Sequence, residues 1–176
     1  MQELDGDESY TESFTYTVDD GDASATETIT ITITGENDAP VAGSVTGTTT
    51  EDDAGVSGTA TASDVDGDTL SYSVGNGTGT YGDLVMGTDG SWTFTANTDA
   101  GQSLDAGESA TESFTYTVDD GDETDTETIT VTITGVNDAP EADSETGTQT
   151  QDGSRTSAKV SASDVHSETL SYSEDN

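Results

Sequence analysis

The chain has 176 residues, no cysteine, and a formal net charge of −36 from 38 acidic and two basic residues. This charge excludes nucleic acid and anionic membrane surfaces as partners, because both are bound through lysine and arginine. Without cysteine there is neither a disulfide nor a thiolate metal site, and no apolar run reaches the ~18 residues of a membrane span, so membrane insertion is not expected. The first five residues lack the basic and apolar regions of a secretory signal. If the protein is exported, we expect its export signal to lie outside this segment or to be of another type.

Disorder is the default expectation for this composition. Leu, Ile, Val and Phe make up 25 of the 176 residues, and few apolar residues with a high net charge are typical of disordered chains. Two features argue against it. The apolar residues alternate with polar ones, and the chain repeats itself.

The predicted elements are short strands separated by turns. In chain order, strands are expected around 13–18, 28–33, 70–74, 91–96 and 113–118, where apolar residues alternate with Thr or Ser. Asp, Gly and Asn mark turns at 19–22, 75–77 and 88–90. No amphipathic helix of useful length is seen. Short strands with frequent turns over ~100 residues predict an all-β sandwich.

The repeat has a period of 100 residues. Shifted by that amount, the sequence aligns on itself without a gap and 48 of 76 positions are identical. A period this long corresponds to a whole domain rather than to one turn of a solenoid. Asn-Asp-Ala-Pro at 37–40 and 137–140 marks the boundaries. We therefore expect the back part of a first repeat at 1–40, a complete central repeat at 41–140, and the front part of a third, diverged repeat at 141–176.

Carboxylates are concentrated at turns and at the repeat ends. Residues 64–68 place Asp64, Asp66 and Asp68 at positions i, i+2 and i+4. Many oxygen ligands with hardly any His and no Cys suit Ca²⁺, whereas solvated turns of an acid-rich protein are the alternative. An EF-hand is excluded, because Gly67 is fourth in the loop, Gly75 is twelfth, and no helices are expected around it.

At four segments the sequence resembles a known family. Residues 79–84, 88–94, 104–105 and 114–122 closely resemble the bacterial VCBS repeat, which is related to the bacterial cadherin-like domains. The resemblance implies tandem cadherin-like, Greek-key β-sandwich repeats of large secreted surface proteins that type I secretion often exports. It also implies an extracellular, cell-surface location and a spacer or adhesion role. No enzymatic activity is expected, because the sequence has no nucleophile elbow, no Gly-rich phosphate loop and no zinc pattern.

The cadherin analogy further implies calcium ligands at each junction between repeats. At the first junction the matching residues are Asp5, Glu8, Asn37, Asp38, Asp64 and Asp66, with Asp68 in the same loop. At the second junction they are Glu51, Asp105, Glu108, Asn137, Asp138 and Asp164. The segment 104–108 has one residue more than the Leu-Asp-x-Glu motif that it resembles.

The third copy departs from the other two. Asp66, Gly67 and Asp68 become His166, Ser167 and Glu168, and Glu51 becomes Gln151. We expect weaker calcium binding at the second junction. A metal role is open to His166, the one histidine, but we expect a solvent-facing turn residue there. The apolar residues Val45, Val56 and Val74 become Glu145, Thr156 and Glu174, so this fragment is expected to pack poorly or to present another face.

Three functions remain open. The leading one is a calcium-stabilised structural and adhesive module whose partners are neighbouring repeats of the same or an identical chain. The second is a filament subunit, in which the C-terminal part-repeat of one chain complements the N-terminal part-repeat of the next. The third is calcium-dependent binding of surface glycans through Trp92 and Tyr81, although aromatics on such strands are more often core.

Overall fold

A computed structural model describes residues 4, 6, 8–146, 159–166 and 169–173, and this part of the chain is nearly all β. The strands in chain order are β1 Ser9–Asp19, β2 Ser24–Thr34, β3 Val41–Gly43, β4 Val45–Thr50, β5 Gly55–Thr59, β6 Thr61–Ser63, β7 Ser71–Val74, β8 Gly82–Met86, β9 Ser91–Ala96, β10 Ser109–Asp119, β11 Thr124–Thr134, β12 Glu141–Ala142 and β13 Ala162–Ser163. A four-residue helix, α1, covers Thr98–Gly101. No helix in the described ranges has the length and apolar character needed to cross a membrane.

The central repeat is a sandwich of two sheets. One sheet has the strand order β4-β11-β10-β7 and the other has the order β5-β9-β8, while β3 and β6 form a separate pair. Strand β4 runs parallel to β11, and the other pairs in these sheets are antiparallel. The rings of Phe94 and Phe114, one from each sheet, lie 6.0 Å apart. The all-β, cadherin-like sandwich predicted from the sequence is confirmed.

Alternation along the strands produces the core between these sheets. Its fully or almost fully buried members are Ala60, Leu84, Trp92, Phe94, Leu104, Phe114, Tyr116, Val118, Ile129, Val131 and Ile133. Glycine makes room for the largest of them. A Cβ at Gly47 or Gly58 would lie 2.8 Å or 2.6 Å from the Trp92 ring, so a larger residue at either position would overpack this end of the sandwich.

The first hairpin, β1-β2, has the same register as β10-β11 but a different environment. Phe14 pairs with Ile29 in one hairpin, just as Phe114 pairs with Ile129 in the other. We define the hairpin face as the exposed apolar residues of β1 and β2, which are Tyr10, Phe14, Tyr16, Val18, Ile29, Ile31 and Ile33. They are 46–60% exposed, whereas Phe114 is 3% and Ile129 0% exposed. Alternation predicts an inward-facing set here, but no described sheet covers this set.

The described residues after 140 form one small sheet. Strands β12 and β13 pair through Glu141 with Ser163 and Ala142 with Ala162. Val160, Val165 and Tyr172 are 56–58% exposed. Glu145 is exposed and accepts a hydrogen bond from the Ser161 hydroxyl, 3.4 Å away. Gln151, Thr156, Ser167, Glu168 and Glu174 lie outside the described residues, and the three repeat boundaries stay a prediction.

Candidate metal centres at the repeat junctions

The first candidate centre is the acidic loop 64–68, between β6 and β7. Its carboxylates converge, because one oxygen from each of Asp64, Asp66 and Asp68 lies within 4.8 Å of the other two. The loop's own hydrogen bonds produce this arrangement. Asp64 Oδ1 accepts from the amides of Gly67 at 2.8 Å and Asp68 at 3.2 Å. Gly67 turns the chain with a φ of 89°, in the left-handed region where glycine is favoured.

This loop also holds residues 37–38, which are predicted to link the first two repeats. The amide of Asp38 donates to Asp66 Oδ2 at 2.8 Å, and the side-chain amide of Asn37 donates to Asp120 Oδ2 at 3.2 Å. The linker residues 37–38 are thus attached to two separate turns of the central repeat.

Asp120 takes part in this contact, although the sequence indicates for it only a turn like that of its counterpart Asp20. The backbone amides of Glu123 and Asp122, and then the Asn37 side chain, hold the pKa of the Asp120 carboxyl below its ordinary value. The Asp-Asp-Gly-Asp turn motif was visible in the sequence, but its approach to residue 37, 83 positions away, was not.

The acidic loop contains carboxylate oxygens without a hydrogen-bond donor. Asp64 Oδ2 and Asp66 Oδ1 are buried and have no hydrogen-bond partner in the described part of the chain. Two carboxylates 4 Å apart repel each other by about 4 kcal/mol at an effective dielectric of 20. A bound cation would relieve both the repulsion and the missing hydrogen bonds, and oxygen donors alone suit calcium. The residues present therefore fit a calcium ion.

The second candidate centre, here called the second-junction cluster, consists of Glu51, Asp138 and His166. Each offers one atom within 4.8 Å of the other two. Glu51, just after β4, is 1% exposed, and its amide donates to the carbonyl of Thr134 at 3.1 Å. Its Oε1 accepts from the amide of Val136, in the segment 136–140, which is expected to join the central and third repeats and is here called the second linker. Asp138 follows in that linker, and its Oδ2 lies 3.9 Å from His166 Nε2.

The position of His166 corrects an expectation. Its side chain is 2% exposed, so the prediction of a solvent-facing turn residue is wrong. The His166 amide donates to Asp164 Oδ1 at 3.0 Å, so an aspartate closes this turn as well, here through the amide two residues further on. The imidazole lies beside Glu51 and Asp138. The cadherin analogy implies these two residues as ligands of the second junction, but no local pattern indicated His166 next to them.

The other predicted ligands lie apart from these two groups. Glu108 Oε2 accepts from the Asp105 amide at 3.2 Å, and both residues are exposed in one local turn. Asn137 is exposed and its side chain donates to the Asp138 carbonyl at 2.7 Å. Glu8 is exposed, and Asp5 lies outside the described residues. Their metal role stays a prediction.

Several acidic residues do serve as turn residues. In the turn before β9, Asp89 Oδ1 accepts from the hydroxyl of Ser91 at 2.6 Å and from its amide at 3.0 Å. Those two bonds hold the pKa of Asp89 below its ordinary value. The alternative of solvated turns therefore applies to turns such as this one, whereas the two clusters combine buried carboxylate oxygens.

The aromatic residues considered for glycan binding are part of the core. Trp92 is 3% exposed, and Tyr81 packs against the same core while half-buried. A sugar needs an open aromatic face for stacking, and Trp92 offers none. The glycan hypothesis therefore loses its main contact residue.

Comparisons with known proteins identify the repeat. Residues 37–135 match the family model of the bacterial cadherin-like domain. No curated protein matches the chain. Among solved structures, a protocadherin gammaB7 EC3-6 cis-dimer is 18% identical over 89% of this chain and 42% of that one, with a TM-score of 0.48. Mouse clustered protocadherin gammaC3 EC1-3 is 18% identical over 73% and 44%, with a TM-score of 0.47.

An endo-fucoidan hydrolase of glycoside hydrolase family 107 is also similar, at 22% identity over 71% of this chain but only 19% of the hydrolase, with a TM-score of 0.38. The chain thus spans less than half the length of the protocadherins that it matches. The family match covers 99 of the 176 residues and confirms the resemblance to bacterial cadherin-like domains. This chain belongs to the bacterial cadherin-like domain family.

Proposed function

We propose that this chain is a calcium-stabilised structural and adhesive repeat module of an extracellular bacterial surface protein. Its role is mechanical rather than catalytic: calcium at the repeat junctions converts a flexible string of domains into a stiff array. The observation that carries the proposal is the acidic loop 64–68, where three carboxylates converge and hold the linker through Asp38.

Calcium would act on the linker through Asp66. One oxygen of this carboxylate accepts the Asp38 amide, and the other is buried without a hydrogen-bond donor. An ion bound by Asp64, Asp66 and Asp68 would hold Asp66 in the orientation that restrains the linker. Calcium takes six to eight oxygen ligands, so further oxygens from the linker, the first repeat or water would complete its shell. The expected result is a restricted angle between repeats.

Family membership supports the location and the role. The bacterial cadherin-like match covers the central repeat, and the VCBS resemblance implies tandem arrays in secreted surface proteins. A net charge of −36 disfavours close packing between chains unless cations are present. These points favour a calcium-rich environment outside the cell.

Thermal unfolding with a chelator, with calcium and with magnesium tests the proposal. Consider an ion that binds only the folded state and is present at a concentration of 100 times its dissociation constant. It raises the free energy of unfolding by about 2.7 kcal/mol, which raises the Tm by several degrees. We expect this rise with calcium, a much smaller one with magnesium, and a reduced one in Asp66→Asn.

Asp89→Asn is the matched control, because it removes the same charge from a turn outside both clusters and keeps an acceptor for Ser91. Equal melting temperatures in chelator and calcium would refute the calcium part of the proposal. So would a calcium effect that Asp66→Asn leaves unchanged.

A second candidate function is the self-assembling filament subunit, which the hairpin face favours. The central repeat buries the counterparts of this face, and Tyr72 there stacks on Tyr116 at 6.4 Å. The matching pair would be Tyr172 from one chain and Tyr16 from the next, which are 58% and 46% exposed. In this candidate, the C-terminal part-repeat of a second copy covers the hairpin face.

Light scattering over a range of protein concentrations tests the filament. We expect mass to grow with concentration, and Tyr172→Ser to reduce the growth. Val85→Ser is the control, since Val85 is 70% exposed on the outer side of β8. Glu145→Val should strengthen assembly, because Val45 in the central repeat lies beside Ile129. A constant monomer mass at every concentration would rule this candidate out.

A further inference from the structure

We propose that the second-junction cluster of Glu51, Asp138 and His166 is a binding site that prefers a transition-metal dication of the zinc class over calcium. The inference concerns residues other than the acidic loop 64–68. Only the mechanical role of the bound ion, clamping the central repeat to the third, rests on the proposed function.

The three donors are already close to a coordinating arrangement. His166 Nε2 and Asp138 Oδ2 are 3.9 Å apart, and one oxygen of Glu51 lies within 4.8 Å of both donor groups. Donors at about 2.1 Å from a tetrahedral zinc ion stand roughly 3.4 Å from one another. Closing the group onto an ion thus requires small side-chain movements. Three protein ligands would leave a fourth position for water.

Burial without hydrogen bonds is the second, independent observation. The side chain of His166 is 2% exposed and Glu51 is 1% exposed. Neither ring nitrogen of His166 has a hydrogen-bond partner in the described part of the chain, and the same holds for Glu51 Oε2 and Asp138 Oδ2. Buried polar groups left in this way cost free energy. A metal ion would use one imidazole nitrogen and both carboxylates at once.

The chemistry of the donor set decides the type of metal. In the first acidic loop the corresponding position is Asp66, and every donor there is an oxygen. In the third copy an imidazole takes this position, and imidazole nitrogen suits zinc and neighbouring transition metals, whereas calcium takes oxygen. The substitution therefore replaces an oxygen donor with a nitrogen donor at an equivalent position of the repeat, which changes the preferred ion.

Such a site would connect two repeats. Glu51 comes from the end of β4, Asp138 from the second linker, and His166 from the loop after β13. Because the ligands are separated by up to 115 positions, the ion would restrain the third repeat directly against the central one. A chain with both sites would respond to calcium at one junction and to zinc at the other.

Nuclear magnetic resonance of the histidine ring provides a direct test, since His166 is the only histidine in the chain. Zinc chloride is titrated into the whole, untagged chain in excess calcium, which occupies the general acidic surface. We expect the His166 ring signals to change until one equivalent of zinc is bound. With calcium alone, the signals of the His166 ring nitrogens should remain those of an imidazole that binds no metal.

Calorimetric titration of variants with zinc and with calcium measures the metal selectivity of the cluster. His166→Ala should weaken zinc binding by at least the roughly 10–100-fold that loss of a less direct, outer-shell group costs. His166→Asp restores the oxygen donor of the first copy and should shift the preference from zinc to calcium. Asp89→Asn should bind zinc like the wild type.

The outcomes separate this inference from the calcium proposal. Ring signals that zinc leaves unchanged would overturn the inference, as would zinc binding of equal affinity in His166→Ala, which would mean adventitious binding elsewhere on the acidic surface. Neither result bears on calcium at Asp66. Conversely, zinc binding at His166 in a chain that calcium does not stabilise would support this site and refute the calcium function.

Discussion

Tyr116 shows how a single side chain holds elements of the central repeat together. It is fully buried, and its hydroxyl donates to the carbonyl of Gly43 in β3 and lies 3.3 Å from the carbonyl of Thr61 in β6. Tyr116→Phe leaves these carbonyls without that donor, so we expect a loss of about 1–2 kcal/mol in the free energy of unfolding. Urea denaturation measures it.

The same residue is expected to make the stability of the folded protein depend on pH in the alkaline range. Burial raises the pKa of the Tyr116 phenol above its ordinary value. Because the folded-state pKa exceeds the unfolded one, the contribution to stability is complete below pH ~10 and is lost as pH rises through the folded value. As the pH rises above ~10, the stability of Tyr116→Phe should therefore fall less than the stability of the wild type.

Tyr16→Phe is a control supplied by the repeat itself. Tyr16 has the same position in the first hairpin but is 46% exposed, so we expect little change in stability at any pH. A loss equal to that of Tyr116→Phe would contradict the prediction.

At the level of elements, Asp125 attaches the start of β11 to β3. Its Oδ2 accepts from the amide of Ala42 at 2.9 Å. That bond, followed by one from the Thr126 amide, holds the pKa of Asp125 below its ordinary value. A lowered folded-state pKa means that the stabilisation is present above the unfolded value near pH 4 and is lost as pH falls through the folded value.

We therefore expect Asp125→Ala to be less stable than the wild type at pH 7, with a difference that narrows in acid. Asp125→Asn retains an acceptor for Ala42 and should show a smaller difference. Chemical denaturation at both pH values measures this. A difference for Asp125→Ala that grows in acid would disagree with the assigned contact.

At the level of the whole molecule, two hairpins of closely similar sequence have different surroundings. Strands β10 and β11 pair with β7 and β4 and form half of the core, whereas β1 and β2 pair only with each other among the described strands. An isolated hairpin is marginally stable. At low protein concentration we expect amide hydrogens in β1-β2 to exchange much faster than those in β10-β11.

Hydrogen exchange followed by mass spectrometry measures this contrast in one sample, and the second hairpin is the internal control. Equal protection of both hairpins would mean that something covers the hairpin face. Protection of β1-β2 that increases with protein concentration would identify a second copy as the cover.

Local patterns in the sequence predicted β1, β2, β7, β9 and β10, but they did not single out short strands such as β3 to β6 or β8. Alternation around Phe114, Ile129 and Trp92 identified side chains that the structure buries, and the turns fell where Asp, Gly and Asn cluster. The convergence of Asp64, Asp66 and Asp68 was also accessible, because a five-residue loop closed by its own amides brings them together. Such features depend on neighbours within a few residues.

Tertiary structure decided what depends on distant partners. Phe14 and Phe114 lie in identical sequence, and one is 51% exposed while the other is 3% exposed, because among the described strands an opposing sheet covers the second alone. The sequence predicts an exposed turn residue at His166, yet the structure buries its side chain beside Glu51 and Asp138. These two residues are 115 and 28 positions away in the sequence. Alternation therefore determines which face of a strand can be buried, whereas burial itself and the meeting of ligands from two repeats require long-range packing that no local pattern encodes.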